Sequence, residues 1–205
     1  MSRSRIRLPL PRAFSSRWLR TSLMAGVLAM LPSWAFAAEI QGVTFADQAE
    51  TQGGQPLELI GTGLFTYLVW DAYVGGYYQD ARRPRPAPLS DVSRRLVLEY
   101  FHAIEAADFA KATTRGVRQN LSEANFAAIE AELSRFNAAY RDVSPGDRYA
   151  LEWQAEEGGK GRLTLALNDT LLFESASLAL ANGVFAIWLG DSPARDDFRS
   201  QLLGR

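Results

Sequence analysis

The chain has 205 residues, with 22 lysines and arginines against 23 aspartates and glutamates, and no cysteine. The lack of cysteine excludes disulfides, thiol nucleophiles, cysteine-ligated metals and a lipid-anchored cysteine. No HExxH, Walker, GxGxxG or GxSxG motif occurs, and the single histidine, His102, gives no histidine cluster for a metal site or a Ser-His triad. We predict no catalytic residue, no metal and no cofactor.

The first 37 residues have the pattern of a secretory signal. Six arginines and no acid lie within residues 3–20, an apolar run occupies residues 23–36, and Ala35-Phe36-Ala37 is a small-x-small cleavage site. The apolar run is interrupted by Pro32 and is short of the ~20 residues that a bilayer span needs. We predict cleavage after Ala37, export to the periplasm, and no stable membrane span in the mature chain.

Cleavage at that site would leave residues 38–205 as a single domain. Removing six of the 22 basic residues and none of the 23 acids leaves 16 against 23, a net charge of −7. An acidic chain without a basic stripe argues against nucleic-acid binding, because phosphate contacts supply most of that affinity.

The first half of this domain is predicted to be mainly β-structure. Short strands are expected at residues 42–45 and 57–60, and a long strand at residues 64–78, which are rich in aromatic and β-branched side chains. Apolar groups on both faces of the long run indicate a strand covered on both sides. Another strand is expected at residues 95–103, with one face formed by Leu96, Leu98, Tyr100 and His102.

Two amphipathic helices follow. The first carries a stripe of mostly small residues, which favours close approach to a sheet: Phe109, Ala112, Thr113, Gly116 and Val117. The second begins after Ser122, a suitable N-cap. Its core-facing stripe, at steps of three and four, is Phe126, Ile129, Leu133, Phe136 and Tyr140.

The last third returns to strands and ends in helices. A turn at residues 145–147 precedes strands at residues 149–153 and 163–167, and Asn168-Asp169 is expected to turn a hairpin into residues 171–174. Residues 175–189 form a helix that is apolar nearly all round and therefore buried. Residues 196–203 form a short terminal helix. This order predicts an α+β fold with an antiparallel sheet.

The end of the buried helix could be a working site or only a structural one, and we favour the structural interpretation. Trp188 then caps the helix, Gly190 ends it at C′, and Asp191-Ser192-Pro193 starts the terminal helix. Two other polar residues have similar alternatives. His102 is interpreted as a partly exposed strand-end residue rather than a general base. Asp71, on a covered strand, is expected to pair with an arginine rather than to act in catalysis.

These segments together resemble the chalcone isomerase-like family, in particular its exported bacterial branch. The resemblance rests on the order and spacing of several stretches: Gly42-Val43-Thr44-Phe45, Gly61-x-Gly63-Leu64, Tyr73-Val74-Gly75-Gly76-Tyr77-Tyr78, Pro145-Gly146-Asp147, Ile187-Trp188-Leu189-Gly190-Asp191-Ser192-Pro193 and Leu202-Leu203-Gly204. It implies an open-faced β-sandwich, in which helices pack on one side of a large antiparallel sheet with a hydrophobic cleft between the layers.

The plant enzymes of that family close a flavanone ring with an arginine, a threonine, a tyrosine, an asparagine and a late hydroxyl residue. By alignment these positions hold residues without polar side chains: Ile60, Ala72, Phe109, Gly116 and Ile187. Because an oxyanion donor commonly contributes ~3–4 kcal/mol, the resemblance supports the fold and argues against the enzyme.

The aromatic residues Tyr67, Trp70, Tyr73, Tyr77 and Tyr100 either line a ligand cleft or belong to the core. Some relatives bind fatty acids through an arginine and a tyrosine. Because Ile60 replaces one such anchor, Arg115 and Arg118 are the nearest substitutes. The predicted ligand-binding set is Tyr67, Trp70, Tyr73, Tyr100, Phe109 and Arg115.

Three functions follow from this sequence, in order of preference. The first is a non-catalytic periplasmic protein that binds an amphipathic or fatty-acid-like molecule. The second is a structural or accessory protein whose cleft is filled by its own side chains. The third is an isomerase or lyase that uses a different residue set.

Overall fold

The computed structural model describes residues 37–156 and 158–205. Within these residues, nine strands and four helices alternate in two blocks. The strands are β1 (Ala37–Ile40), β2 (Val43–Ala46), β3 (Gln48–Glu50), β4 (Pro56–Tyr67), β5 (Trp70–Asp80), β6 (Arg94–Tyr100), β7 (Arg148–Ala155), β8 (Gly161–Leu167) and β9 (Thr170–Ser175). The helices are α1 (Ala106–Asn120), α2 (Glu123–Ala138), α3 (Leu178–Leu189) and α4 (Asp196–Leu202). The predicted signal peptide lies outside the described residues except for Ala37.

Seven of the strands form one antiparallel sheet in the order β3-β4-β5-β6-β7-β8-β9, and β1 and β2 form a separate hairpin. The main hydrophobic core lies between the sheet and the helices. A smaller core, centred on Val43, Phe45 and Val74, lies between the sheet and the β1–β2 hairpin. The predicted α+β open-faced sandwich with a large antiparallel sheet is therefore confirmed.

The prediction of one long strand at residues 64–78 is wrong, because the chain turns back on itself in the middle of that segment. Strand β4 ends at Tyr67 and β5 begins at Trp70, with Leu68 at a φ of 55° between them. The sequence does not indicate this turn, because the turn contains none of the usual turn residues, glycine, asparagine or aspartate. The prediction of cover on both sides does hold farther along β5, where a Cβ on Gly76 would lie 2.4 Å from a ring carbon of Phe45.

Helix α2 follows its sequence pattern closely. The Ser122 hydroxyl accepts a hydrogen bond from the Asn125 amide at 3.3 Å, as an N-cap should. All five residues of the predicted stripe are buried: Phe126, Ile129, Leu133, Phe136 and Tyr140. The stripe therefore faces the main core, as the periodicity predicts.

Helix α1 packs differently from the prediction. Thr113, Gly116 and Val117 are buried, but Ala112 is exposed. The close approach made at Gly116 is to helix α3 rather than to the sheet, since a Cβ there would lie 2.8 Å from the Cγ1 atom of Ile187. The small residues thus bring two helices together above the sheet.

Helix α3 is buried nearly all round, with eight of its twelve residues buried, and it begins after an N-cap at Ser177. Gly190 follows the helix with a φ of −77°, so it is not the left-handed C′ glycine that the sequence predicts. A glycine is needed there because a Cβ would lie 2.3 Å from the side-chain oxygen of Asn120. No helix among the described residues has the length and apolar character that a membrane crossing requires.

The segment after α3 is an irregular connection made of bends. The Asn120 side chain holds it by donating to the carbonyl of Ser192 at 2.8 Å and accepting from its amide at 3.1 Å. Helix α4 therefore starts only at Asp196, and the prediction that Asp191-Ser192-Pro193 begins it is wrong. The hairpin turn predicted at Asn168-Asp169 is confirmed by φ angles of 47° and 65°.

Candidate functional site

The site of greatest interest is a cavity enclosed between the sheet and the helices. Its volume is about 20 Å³, room for about one water molecule. Strands β6, β7 and β8 supply the floor, α3 supplies Val184 and Trp188, and Tyr140 follows the end of α2. The floor consists of Leu96, Leu98, Tyr100, Tyr149, Leu151 and Leu165. The lining is apolar except for the tyrosine hydroxyls and the indole N–H.

Three of the predicted ligand-binding residues lie together beside this cavity. The ring of Tyr73 lies 5.4 Å from that of Tyr100, which lies 5.2 Å from the ring of Phe109. Phe109 in turn stacks on Tyr140 at 5.3 Å. Tyr73, Tyr100 and Phe109 thus belong to one aromatic cluster at the interface between sheet and helices.

The hydroxyls of this cluster are mostly satisfied within the protein. Tyr73 accepts a hydrogen bond from Trp188 Nε1 at 3.0 Å, and the hydroxyls of Tyr140 and Thr113 lie 2.9 Å apart. The Tyr100 hydroxyl has no hydrogen-bonding partner among the described residues. Burial raises the pKa of Tyr73, Tyr100 and Tyr140 above the ordinary value of 10.0. These groups therefore stay protonated at neutral pH and do not provide a general base.

The structure places the other predicted ligand-binding residues elsewhere. Tyr67 and Trp70 are 65% and 64% exposed at the end of the β4–β5 hairpin, because the turn carries them beyond the cluster formed by Tyr73 and its neighbours. Arg115 is exposed on α1 near Arg118, whose guanidinium lies 4.1 Å from the ring centre of Phe126. Neither arginine lines the cavity.

The polar residues considered for catalysis lie outside the cavity as well. Asp71 accepts hydrogen bonds from Thr66 Oγ1 at 3.1 Å and from Gln41 Nε2 at 3.3 Å, so the prediction of an arginine partner is wrong. His102 is exposed, as predicted, with its ring edge-to-face to Trp70 at 6.2 Å. Within residues 37–156 and 158–205, no three His, Cys, Asp or Glu side chains are grouped as metal ligands would be.

The five positions aligned with the plant catalytic residues form no polar constellation. Ile60 and Ala72 are the unpaired residues of two β-bulges in the β4–β5 hairpin, a feature that often redirects a side chain next to an active site. Ile60 packs against the main core. Gly116 and Ile187 contact each other between α1 and α3. Without a charged or hydroxyl group at these positions, a developing phenolate has no donor there.

A buried arginine at one end of this interface was not predicted from the sequence. Arg94 is fully buried, donates to the Ser90 carbonyl at 2.6 Å and to Asn182 Oδ1 at 2.5 Å, and lies 4.5 Å from the ring centre of Phe185. Burial lowers its pKa to about 10. Arg94 lies two positions before Leu96 and so shares the buried face of β6. This pattern was not recognised because the predicted strand began only at residue 95.

The packing of α4 over the β4–β5 half of the sheet was not predicted either. A Cβ on Gly61 would lie 2.1 Å from the Gln201 carbonyl oxygen, and one on Gly75 would lie 2.8 Å from the ring of Phe198. Phe198 and Leu202 are fully buried. The glycines let α4 lie directly on the strands, so that its side chains occupy this part of the interface.

Comparison with known proteins agrees with this architecture. The sequence profile described as Chalcone isomerase-like matches residues 37–204. No curated protein sequence matches the chain. The crystal structure of an Arabidopsis thaliana fatty-acid binding protein is similar in fold, with a TM-score of 0.64 and 15% sequence identity, over 82% of this chain and 96% of that one. Because the profile spans all the described strands and helices, the chain belongs to the chalcone isomerase-like family.

Proposed function

We propose that this protein is a non-catalytic member of its family that binds an amphipathic molecule with a fatty-acid-like tail between the sheet and the helices. The observation that carries the proposal is the apolar, aromatic-lined cavity beside Tyr100. The similar Arabidopsis protein, described as a fatty-acid binding protein, supports it at the level of the fold. The lack of polar side chains at the five aligned positions supports the absence of catalysis.

Binding of a tail requires the cavity to widen. A volume of about 20 Å³ is far below that of a ligand pocket. Helices α1 and α3 are held together at Gly116 and Ile187, so they would move away from the sheet as a unit. The hydrogen bond between Trp188 and Tyr73 would then break. Burial of the apolar surface of the tail, at ~25 cal/mol per Å², would offset its loss.

A second candidate is a structural or accessory protein with a permanently filled cleft. Two observations favour it: the small volume of the cavity, and the burial of Phe198 and Leu202 of α4 against β4 and β5. In this case the aromatic cluster only stabilises the fold and binds no ligand.

Calorimetric titration with laurate, and with lauryl alcohol as its uncharged counterpart, separates the two candidates. We expect the wild-type chain to bind laurate and Leu98→Ala, which enlarges the cavity, to bind it several-fold more tightly. Leu133→Ala is the matched control, because Leu133 is equally buried in the main core but does not line the cavity. Absence of heat with the wild type and with Leu98→Ala would leave the filled cleft as the function.

We also propose that the protein acts in the periplasm after export. The support is the arginine-rich and apolar segment that precedes Ala37. N-terminal sequencing of the exported protein should begin at Ala38. An intact arginine-rich segment would contradict export by a cleaved signal.

A further inference from the structure

The β4–β5 hairpin ends in four consecutive exposed hydrophobic residues, Tyr67-Leu68-Val69-Trp70, which we call the hairpin tip. Their exposed fractions are 65%, 78%, 83% and 64%. Leu171, at 48%, is the only other exposed large hydrophobic residue in the described part of the chain. A contiguous exposed apolar patch of this kind marks an interaction site.

Within the hairpin tip, the purely apolar side chains lie farthest from the sheet and the amphipathic ones lie nearer to it. The two aliphatic side chains, Leu68 and Val69, occupy the apex, and the two amphipathic rings, Tyr67 and Trp70, face each other as a pair directly below it. Tyrosine and tryptophan prefer the level of lipid head groups, where one end of the ring is apolar and the other hydrated. Leucine and valine prefer the acyl region beneath.

Polar contacts brace the base of the hairpin tip. Asp71 accepts a hydrogen bond from Thr66 at 3.1 Å, and Arg195 donates to the Thr66 carbonyl at 3.2 Å while pairing with Asp197. The ring of His102 lies edge-on to Trp70. The apex is thus held out from the sheet, which lowers the conformational entropy lost on docking.

We propose that the hairpin tip docks into the surface of a phospholipid bilayer. The two rings, about two-thirds exposed, present on the order of 250 Å² at ~150–250 Å² for each aromatic side chain. With the smaller Leu68 and Val69 added, the patch stays below the ~800 Å² per partner that a stable protein interface buries. The tip is also convex, so a protein partner would need a matching groove, whereas a bilayer yields around it. The occupant is therefore a lipid surface rather than a second protein.

The charges around the hairpin tip specify the kind of lipid. Arg195 is neutralised by its ion pair with Asp197, and Asp71 adds a negative charge. With no surplus of positive charge at the base, the tip docks through apolar burial onto zwitterionic lipids, and docking depends little on salt. The inference does not rely on a ligand in the cavity, although a lipid surface would be a source of acyl molecules.

Sedimentation with phosphatidylcholine vesicles tests the proposal, using the purified chain with the same N-terminus in every variant. We compare the wild type with the double variant Leu68→Asn/Val69→Ser. Asparagine tolerates the positive φ of position 68, so the turn is preserved. The matched control is Leu171→Ser, which removes an exposed leucine from strand β9.

We expect the double variant to lose at least tenfold in vesicle partitioning and Leu171→Ser to partition like the wild type, at both low and high salt. The wild type should also show a blue shift of tryptophan emission on adding vesicles, and Trp70→Phe should abolish it. Three results would overturn the proposal: no partitioning of the wild type at saturating lipid, equal partitioning of the double variant, or a tip-dependent dimer in solution without lipid.

Discussion

The hydrogen bond from Trp188 Nε1 to the Tyr73 hydroxyl joins the last turn of α3 to strand β5 across the edge of the cavity, at 3.0 Å. Replacing Trp188 with alanine removes an indole that lines the cavity and leaves Tyr73 without this donor. Truncating a fully buried tryptophan costs ~3–5 kcal/mol. Because Trp188 is half-buried, we expect the apolar share to be smaller, and the lost hydrogen bond adds ~1 kcal/mol.

The expected total for Trp188→Ala is therefore about 3 kcal/mol of unfolding free energy. Trp188→Phe and Tyr73→Phe isolate the hydrogen bond, because each removes it while keeping an aromatic ring. We expect each to cost ~1 kcal/mol and the double variant to cost little more than either, a coupling of ~1 kcal/mol. Urea unfolding followed by circular dichroism measures all of these values.

Trp153 offers a matched control for this cycle. Its indole N–H donates to Asp91 at 2.9 Å, and it makes no hydrogen bond with Tyr73. Trp153→Phe combined with Tyr73→Phe should therefore be additive. The reasoning would be refuted by a loss below ~1 kcal/mol for Trp188→Ala, or by additivity of Trp188→Phe with Tyr73→Phe.

Two further predictions concern pH and activity. Burial raises the pKa of four tyrosines above 10.0: Tyr73, Tyr77, Tyr100 and Tyr140. The stability that they contribute is therefore complete below pH 10 and is lost as pH rises above it. The loss is ~1.4 kcal/mol of unfolding free energy per pH unit for each tyrosine. Arg94, whose pKa is lowered to about 10, opposes this loss, but it is one group against four tyrosines. Alkaline titration should therefore show tyrosinate absorbance appearing together with unfolding. An unfolding free energy that stays constant from pH 10 to pH 11 would contradict the burial of these tyrosine hydroxyls. The purified chain should not form flavanone from chalcone above the spontaneous rate, because no donor for the phenolate is present at the aligned positions; an enantiomeric excess on chiral chromatography would disprove this.

Predictions that rest on local sequence agree best with the structure. The stripe of α2, its cap at Ser122 and the turn at Asn168-Asp169 each depend on residues within a few positions of one another. The apolar composition of α3 likewise predicts its burial whatever its neighbours are. The predicted antiparallel sheet follows from such elements in order.

Predictions that require knowledge of distant neighbours agree less well. The aromatic segment at residues 64–78 has strand propensity throughout, so nothing in its composition marks the reversal after Tyr67. That reversal separates Tyr67 and Trp70 from Tyr73, Tyr100 and Phe109, and so divides the predicted binding set. The helix stripe around Gly116 has the right spacing, but its partner proved to be α3.

By itself, the sequence determined most of the helices and strands, the apolar face of α2 and the apolar character of α3 nearly all round. It also determined that the positions aligned with the plant catalytic residues lack polar groups. Only the tertiary structure decided that Asn120 binds the backbone of Ser192, that Arg94 is buried, and that α4 lies on the glycines of β4 and β5. The physical reason is the separation along the chain over which each interaction acts. Propensity and periodicity act between residues close in the chain, whereas the size of the cavity and the exposure of the hairpin tip depend on packing between segments that are far apart in it.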